Sequence, residues 1–254
     1  MIAPVSRRRL LASLGAGAGG LLLSGCDRVG ASPAFRSLTD GADRLTMRAQ
    51  RLVSARDALA PEFGAAEMSP VFRTNGNVMP ASSAYQAHAA GGFAGWRLIV
   101  DGAVDRPLAL PMAQIRRLPA RTQITRHDCV EGWSAIGKWT GVPLKLLLDA
   151  AGLKSSARFL VFHCADDFRG TPFYESIDLV DAFHPQTILA WGMNDRLLPI
   201  GHGAPLRLRV ERQLGYKQAK FVMRVEAVDS LEGIAGGKGG YWEDVAGYQW
   251  YAGI

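Results

Sequence analysis

From Trp96 onward the chain is written in short blocks of hydrophobic and polar positions, each with its own period. Trp96, Leu98 and Val100 fall on one face of an extended segment that ends in the turn pair Asp101-Gly102. Pro111 suits the start of a short helix running to about Leu118, just ahead of Pro119. Residues 121–129 read as a strand leading into Cys129. Pro143 opens a second helix with Leu144, Leu147, Leu148 and Ala151 on one face, and Gly152 stops it. Arg158 to Ala165 is a largely apolar strand. Leu206, Leu208 and Val210 then alternate with Arg207, Arg209 and Glu211, and Phe221, Met223 and Val225 repeat the period of two. Upstream, Asp43 to Leu59 has helical spacing, with Arg44, Arg48, Arg51 and Arg56 as a solvated face. Short strands mixed irregularly with short helices predict an α+β domain of mixed sheets, not a doubly wound parallel one. No GxGxxG follows a strand, so a nicotinamide or flavin fingerprint is missing.

The first residues change that picture, because they read as an address and not as part of the fold. Ser6-Arg7-Arg8-Arg9 precedes an apolar run to Leu23 that is too short to span a bilayer. Adjacent arginines fit a twin-arginine signal, the route for proteins exported already folded; an ordinary secretory signal is the alternative. Leu23-Ser24-Gly25-Cys26 resembles a bacterial lipobox, or else a small-residue cleavage site with an incidental cysteine. The division that follows is a signal peptide over 1–25, a tether and lead-in over 26–70, and a catalytic domain over 71–254. The expected location is the periplasm, with a membrane anchor through Cys26. Those three arginines supply half of the formal charge of +6, and no acid falls in residues 1–25. The remaining excess is too small to point to nucleic acid, but it suits a pocket for an anionic cofactor.

Candidate chemistry gathers in four segments. The three cysteines, Cys26, Cys129 and Cys164, form no CxxC pair and no zinc spacing. Cys129 sits in Arg126-His127-Asp128-Cys129-Val130-Glu131-Gly132-Trp133, at a strand end before a Gly-Trp turn. It is either an inert buried thiol or a side chain facing a cleft. His202-Gly203-Ala204-Pro205-Leu206-Arg207 is a turn entering a strand, where Arg207 can fork onto phosphate oxygens. Gly215-Tyr216-Lys217-Gln218-Ala219-Lys220 is a second glycine turn carrying two lysines. Phe72-Arg73-Thr74-Asn75-Gly76-Asn77 is a polar turn with no meaning of its own.

Taken in order, these segments resemble the sulfite oxidase superfamily over about Phe72 to Asp229. Asp128-Cys129-Val130-Glu131-Gly132-Trp133 and Trp139-Thr140-Gly141-Val142-Pro143-Leu144 are similar to the branch of bacterial periplasmic methionine-sulfoxide reductase catalytic subunits. The resemblance implies a sulfite-oxidase-type molybdopterin-binding domain without the C-terminal dimerisation domain. It implies one molybdenum on one molybdopterin, with Cys129 as the metal's thiolate ligand. Cofactor contacts would map to Asn75, Cys164, Asp166, His202, Arg207, Lys217, Gln218, Ala219 and Lys220. The active-site tyrosine of the sulfite oxidases falls at Tyr174 or Phe173, depending on a one-residue gap. Thr74 stands where those enzymes carry arginine, which has slipped to Arg73. The implied activity is two-electron oxygen-atom transfer on a sulfite- or sulfoxide-type substrate. Electrons would be exchanged with a separate membrane-bound or periplasmic protein, of haem type. The aromatic tail from Tyr241-Trp242 to Trp250-Tyr251 is a packed terminus or a docking surface. Two other readings remain: a cofactor-free thiol enzyme pairing Cys129 with His127 or His202, and a non-catalytic lipoprotein using the fold as a binding module.

Overall fold

The computed structural model describes residues 29, 30 and 32–254. The twin-arginine and lipobox readings lie outside those residues. Contacts divide the chain at Val53/Ser54. The first unit contributes helix α1, Pro33–Val53. Its Ser32 hydroxyl accepts the Phe35 N–H at 3.3 Å, and Pro33 follows at the position where a missing donor costs nothing. The helix thus begins before Asp43 and stops short of Leu59.

The second unit takes in residues 54–70, which the sequence groups with the tether. Phe63 donates to the Ile124 carbonyl at 2.9 Å and Ser69 to that of Ile136 at 3.0 Å, so this stretch is sewn to the sheet. The other elements are α2 (Ser83–Ala90), β1 (Arg97–Gly102), β2 (Leu108–Pro111), α3 (Met112–Ile115), β3 (Arg121–Cys129), β4 (Trp133–Pro143) and α4 (Leu144–Ala151). They are followed by β5 (Phe159–Phe168), β6 (Thr171–Asp178), α5 (Leu179–Ala182), β7 (Ile188–Met193), β8 (Arg196–Leu197), β9 (Arg207–Arg209), β10 (Val222–Val228) and α6 (Tyr241–Ala246).

Two sheets result, the first mixed and the second antiparallel throughout. One runs β2-β1-β10-β5-β6, with β1 and β10 parallel; the other runs β3-β4-β7-β8, with β9 also on β7. Trp96, Leu98, Val100, Leu144, Leu147, Leu148 and Ala151 are buried in one cluster with Leu160, Phe162 and Val225, as their spacing predicts. This is the α+β architecture expected. α3 is a single turn ending at Ile115, and Arg116–Leu118 continue only as a turn. At β9 the alternation is real but its meaning differs. Arg207, Arg209 and Glu211 are as buried as Leu206, Leu208 and Val210. The charged face of this strand looks into the protein.

Candidate functional site

β3 delivers Cys129. Along it Gln123, Thr125, His127 and Cys129 point inward while their neighbours stay more exposed, the period of two that a half-buried strand imposes. β3 turns into β4 through Val130–Gly132, and Cys129 pairs with Trp133 across the turn. Burial pushes the Cys129 thiol up, while the Glu131 N–H and the Arg207 charge favour its anion. A bound metal cation would tip that balance to the thiolate, because a coordinating thiol is deprotonated.

Cys129 opens on a cleft of about 730 Å³. Of the residues singled out from sequence, Asn75, Asp166, Arg207, Gln218, Ala219 and Lys220 line it with Cys129. Four others are placed elsewhere. The Lys217 ammonium is fully buried between Glu175 and Glu243, donating to Glu243 at 2.7 Å. Tyr174 spends its hydroxyl on Asp244 at 2.5 Å, and Phe173 lines the cleft instead. Cys164 is half-buried, with its Sγ 3.8 Å from the Phe162 carbonyl. The His202 ring stands edge-on to Phe72, and it is the His202 carbonyl that accepts from Arg207 Nη1 at 3.2 Å. Lys220, although it lines the cleft, donates to the carbonyls of Asn75, Asn77 and Gly201, tying two loops together. Burial and Arg207 press its pKa down to about 7, against which the three carbonyls hold the proton.

Whether the cleft suits an anionic pterin is decided by two groups. Arg207 is 1% exposed, and its Nε and Nη2 have no partner among the described residues. Asp166 is 4% exposed; its Oδ2 accepts from Asn77 at 3.2 Å, and its Oδ1 has no partner among the described residues. A buried polar atom left unpaired costs about 1–3 kcal/mol, and more if charged. The cleft is therefore shaped for a molecule offering acceptors to a guanidinium and donors to a carboxylate. A pterin phosphate and the pterin's own N–H groups supply both, and Cys129 supplies a soft thiolate. The residues fit the group. Among the described residues, no cluster of three or more His, Cys, Asp or Glu could hold a metal ion.

Sequence reasoning passed over the layer beneath. The Trp139 indole is fully buried with the guanidinium groups of Arg207 and Arg209 over it, at 5.3 and 4.3 Å. Arg209 forks onto Glu211 and donates from Nη1 to His127 Nδ1 at 3.1 Å. Burial and the two arginines hold His127 neutral. Of the two bases named for a cofactor-free thiol enzyme, His127 is thus already engaged with Arg209. Gly215 closes against this histidine: a Cβ there would come within 2.5 Å of His127 Cε1 and Nε2. Gly215→Ala is expected to lower stability by about 1–3 kcal/mol, the usual cost of overpacking, seen as a lower urea midpoint.

His202 gives a pH signature. Burial, Arg207 and Lys220 push its pKa down to about 4. Below pH 6.5 the unfolded chain takes up a proton that the folded protein refuses, so stability falls between pH 6.5 and 4. His202→Asn should flatten that part of the profile relative to the parent in urea titrations at stepped pH; identical slopes would refute the assignment.

Residues 87–233 match the family described as oxidoreductase molybdopterin binding domain. The chain belongs to this family. It is 42% identical over 160 residues to a putative protein-methionine-sulfoxide reductase subunit of Azospira oryzae, covering 63% of this chain and 56% of the relative. It is 32% identical over 143 residues to a protein-methionine-sulfoxide reductase catalytic subunit of Campylobacter jejuni, covering 52% and 48%. The chain thus matches about half the length of each. In the solved structure of the sulfane dehydrogenase SoxCD from Paracoccus pantotrophus the same fold recurs, with TM-score 0.51, 24% identity and coverage of 60% of this chain and 41% of that one. Membership of a molybdopterin-binding family implies a molybdenum–pterin cofactor.

Proposed function

We propose that the chain is the catalytic part of an exported molybdenum–pterin oxidoreductase acting on a sulfoxide-type sulfur substrate, with one metal and one pterin. The observation that carries this reading is the meeting of Cys129, the unpaired guanidinium atoms of Arg207 and the unpaired Asp166 oxygen on one cleft. The two relatives named for methionine-sulfoxide reduction support the choice of substrate. Bound there, the cofactor supplies a two-electron centre able to take up or release an oxygen atom. The chain's residues do the rest: Cys129 anchors the metal, Arg207 neutralises the phosphate, and Asp166 with Asn77 orients the pterin. In the reductive direction a sulfoxide takes two electrons and two protons and leaves as a thioether and water. The electrons come from a separate protein, of haem type, in keeping with relatives named as subunits.

In this reading the enzyme works in the periplasm. Arg7-Arg8 direct export of the loaded, folded protein, and acylation of Cys26 tethers it beside its electron donor. Among the described residues no helix is long and apolar enough to cross a membrane. The test is reduction of a methionine-sulfoxide peptide by the purified, metal-loaded chain with a chemically reduced viologen as donor. Viologen oxidation dependent on the sulfoxide, with thioether formed in equal amount, is the expected result. A fully loaded protein that leaves the sulfoxide intact would reject the substrate assignment.

A further inference from the structure

The cleft has two chemically different sides. One is polar and buried, carrying the unpaired atoms of Arg207 and Asp166. The other is aromatic, made by Phe168, Phe173, Tyr216, Trp242 and Tyr248. Trp242 and Tyr248 come from the segment after residue 233, beyond the stretch matched to the family. They are only partly buried, so this part of the lining stays open to solvent. Trp242 stacks on Tyr248 with ring centroids 5.9 Å apart and planes at 26°; Tyr248 meets Tyr216 edge-on at 5.0 Å, and Trp242 lies 5.3 Å from Phe168.

Groups on the far side hold this segment in place. Glu243 accepts from the buried Lys217, which also bonds Glu175. Asp244 accepts the Tyr174 hydroxyl and, at 2.9 and 3.0 Å, the N–H groups of Gly236 and Lys238. The Tyr216 hydroxyl donates to the Gln249 carbonyl at 2.6 Å, and the Trp250 indole donates to Ser176 at 2.8 Å. Removing one partner of a buried ion pair leaves a charge stranded, so these bonds fix the segment firmly. The two residues that sequence placed near the cofactor, Lys217 and Tyr174, are part of this fastening.

We propose that the stacked pair Trp242–Tyr248 is the specificity-determining wall of the cleft, receiving the carbon arms of a thioether-type sulfoxide. This rests on the sulfoxide reading above and deepens it. Rings give dispersion contact to methyl and methylene groups and favourable contact to a divalent sulfur. A small sulfur oxyanion gains little from them and meets the carboxylate of Glu131 on the same cleft.

The test compares the parent, Trp242→Ala and Trp242→Phe as holoenzymes, with molybdenum and pterin quantified in each. Turnover is measured on a methionine-sulfoxide peptide and on dimethyl sulfoxide, and binding of the peptide by calorimetry. Trp242→Ala should raise KM for the peptide roughly ten-fold, the scale of losing apolar contact in a pocket, and leave kcat within about two-fold. KM for dimethyl sulfoxide, whose two methyl groups offer the rings far less apolar area than a peptide's side chain and backbone, should move less, and Trp242→Phe should recover most of the loss. An unchanged peptide KM at full loading, or an equal loss of kcat on both sulfoxides, would overturn the wall while keeping the reductase. Peptide binding that weakens in Trp242→Ala, in an enzyme reducing neither sulfoxide, would keep the wall and remove the reductase. A loaded parent that neither binds nor turns over the peptide overturns both.

Discussion

Cys129→Ser is expected to fold as the parent does and to lose oxygen-atom transfer almost completely. The side chain changes by one atom at a strand end already held by its pairing with Trp133, so the hairpin has no reason to rearrange. What changes is the donor. A hydroxyl is a hard, weakly acidic ligand, whereas molybdenum held by sulfur calls for a soft thiolate. Removing an outer-shell partner of a metal ligand typically costs about 10–100-fold in activity or affinity, and loss of the ligand itself should exceed that range. Circular dichroism and the urea midpoint check the fold, and single-turnover kinetics check the chemistry. Parent-level turnover in a stably folded Cys129→Ser protein would remove Cys129 from the metal.

Arg207→Ala is expected to give a folded protein depleted of pterin. Two of its three guanidinium nitrogens have no partner among the described residues, and the group is wholly buried. Burial and the neighbouring Arg209 charge depress its pKa to about 9, so the charge is held at a cost that a bound phosphate would offset. Each charge-assisted hydrogen bond contributes about 1.5–3 kcal/mol, so losing one weakens retention roughly 10–100-fold. Arg207→Lys should fall between, because a lysine keeps the charge without the fork. Pterin released by acid and measured by fluorescence reads the effect without reference to activity. Full pterin content in Arg207→Ala would show that the phosphate binds elsewhere.

Much of the fold was legible because its signals are local. β3 alternates, and α4 is opened by Pro143 and stopped by Gly152, so both could be read from a few adjacent residues. β4 could not. Its inward positions include Ala135, Gly137, Trp139 and Gly141, and a buried face in which two of four positions are glycine carries a weak hydrophobic period. The glycines are there for close approach: a Cβ on Gly141 would lie 2.3 Å from the Leu189 carbonyl oxygen, and one on Gly137 would lie 3.0 Å from the Phe72 ring. At β9 the alternation was legible but not the burial of its charged positions, which depends on Trp139, a distant residue over which Arg207 and Arg209 lie.

The site divides along the same line. Cys129 and Arg207 stand in motifs whose chemistry is local, and both open on the cleft. Lys217 stands in such a motif too, but its partners are 42 and 26 residues away in the chain, and no local pattern could show that its charge was already committed. The aromatic tail read as a packed terminus or a docking surface. Only the meeting of Trp242 and Tyr248 with Phe168 and Tyr216 places it at the cleft.

The proposed activity requires a molybdenum–pterin held in this cleft through Cys129. Its most direct test is combined metal and pterin analysis of the chain purified from a molybdenum-replete host, beside Cys129→Ser prepared in parallel. The expected result is one molybdenum and one pterin per parent chain, with the metal lost or sharply reduced in Cys129→Ser. Correctly folded parent protein carrying neither molybdenum nor pterin would contradict it.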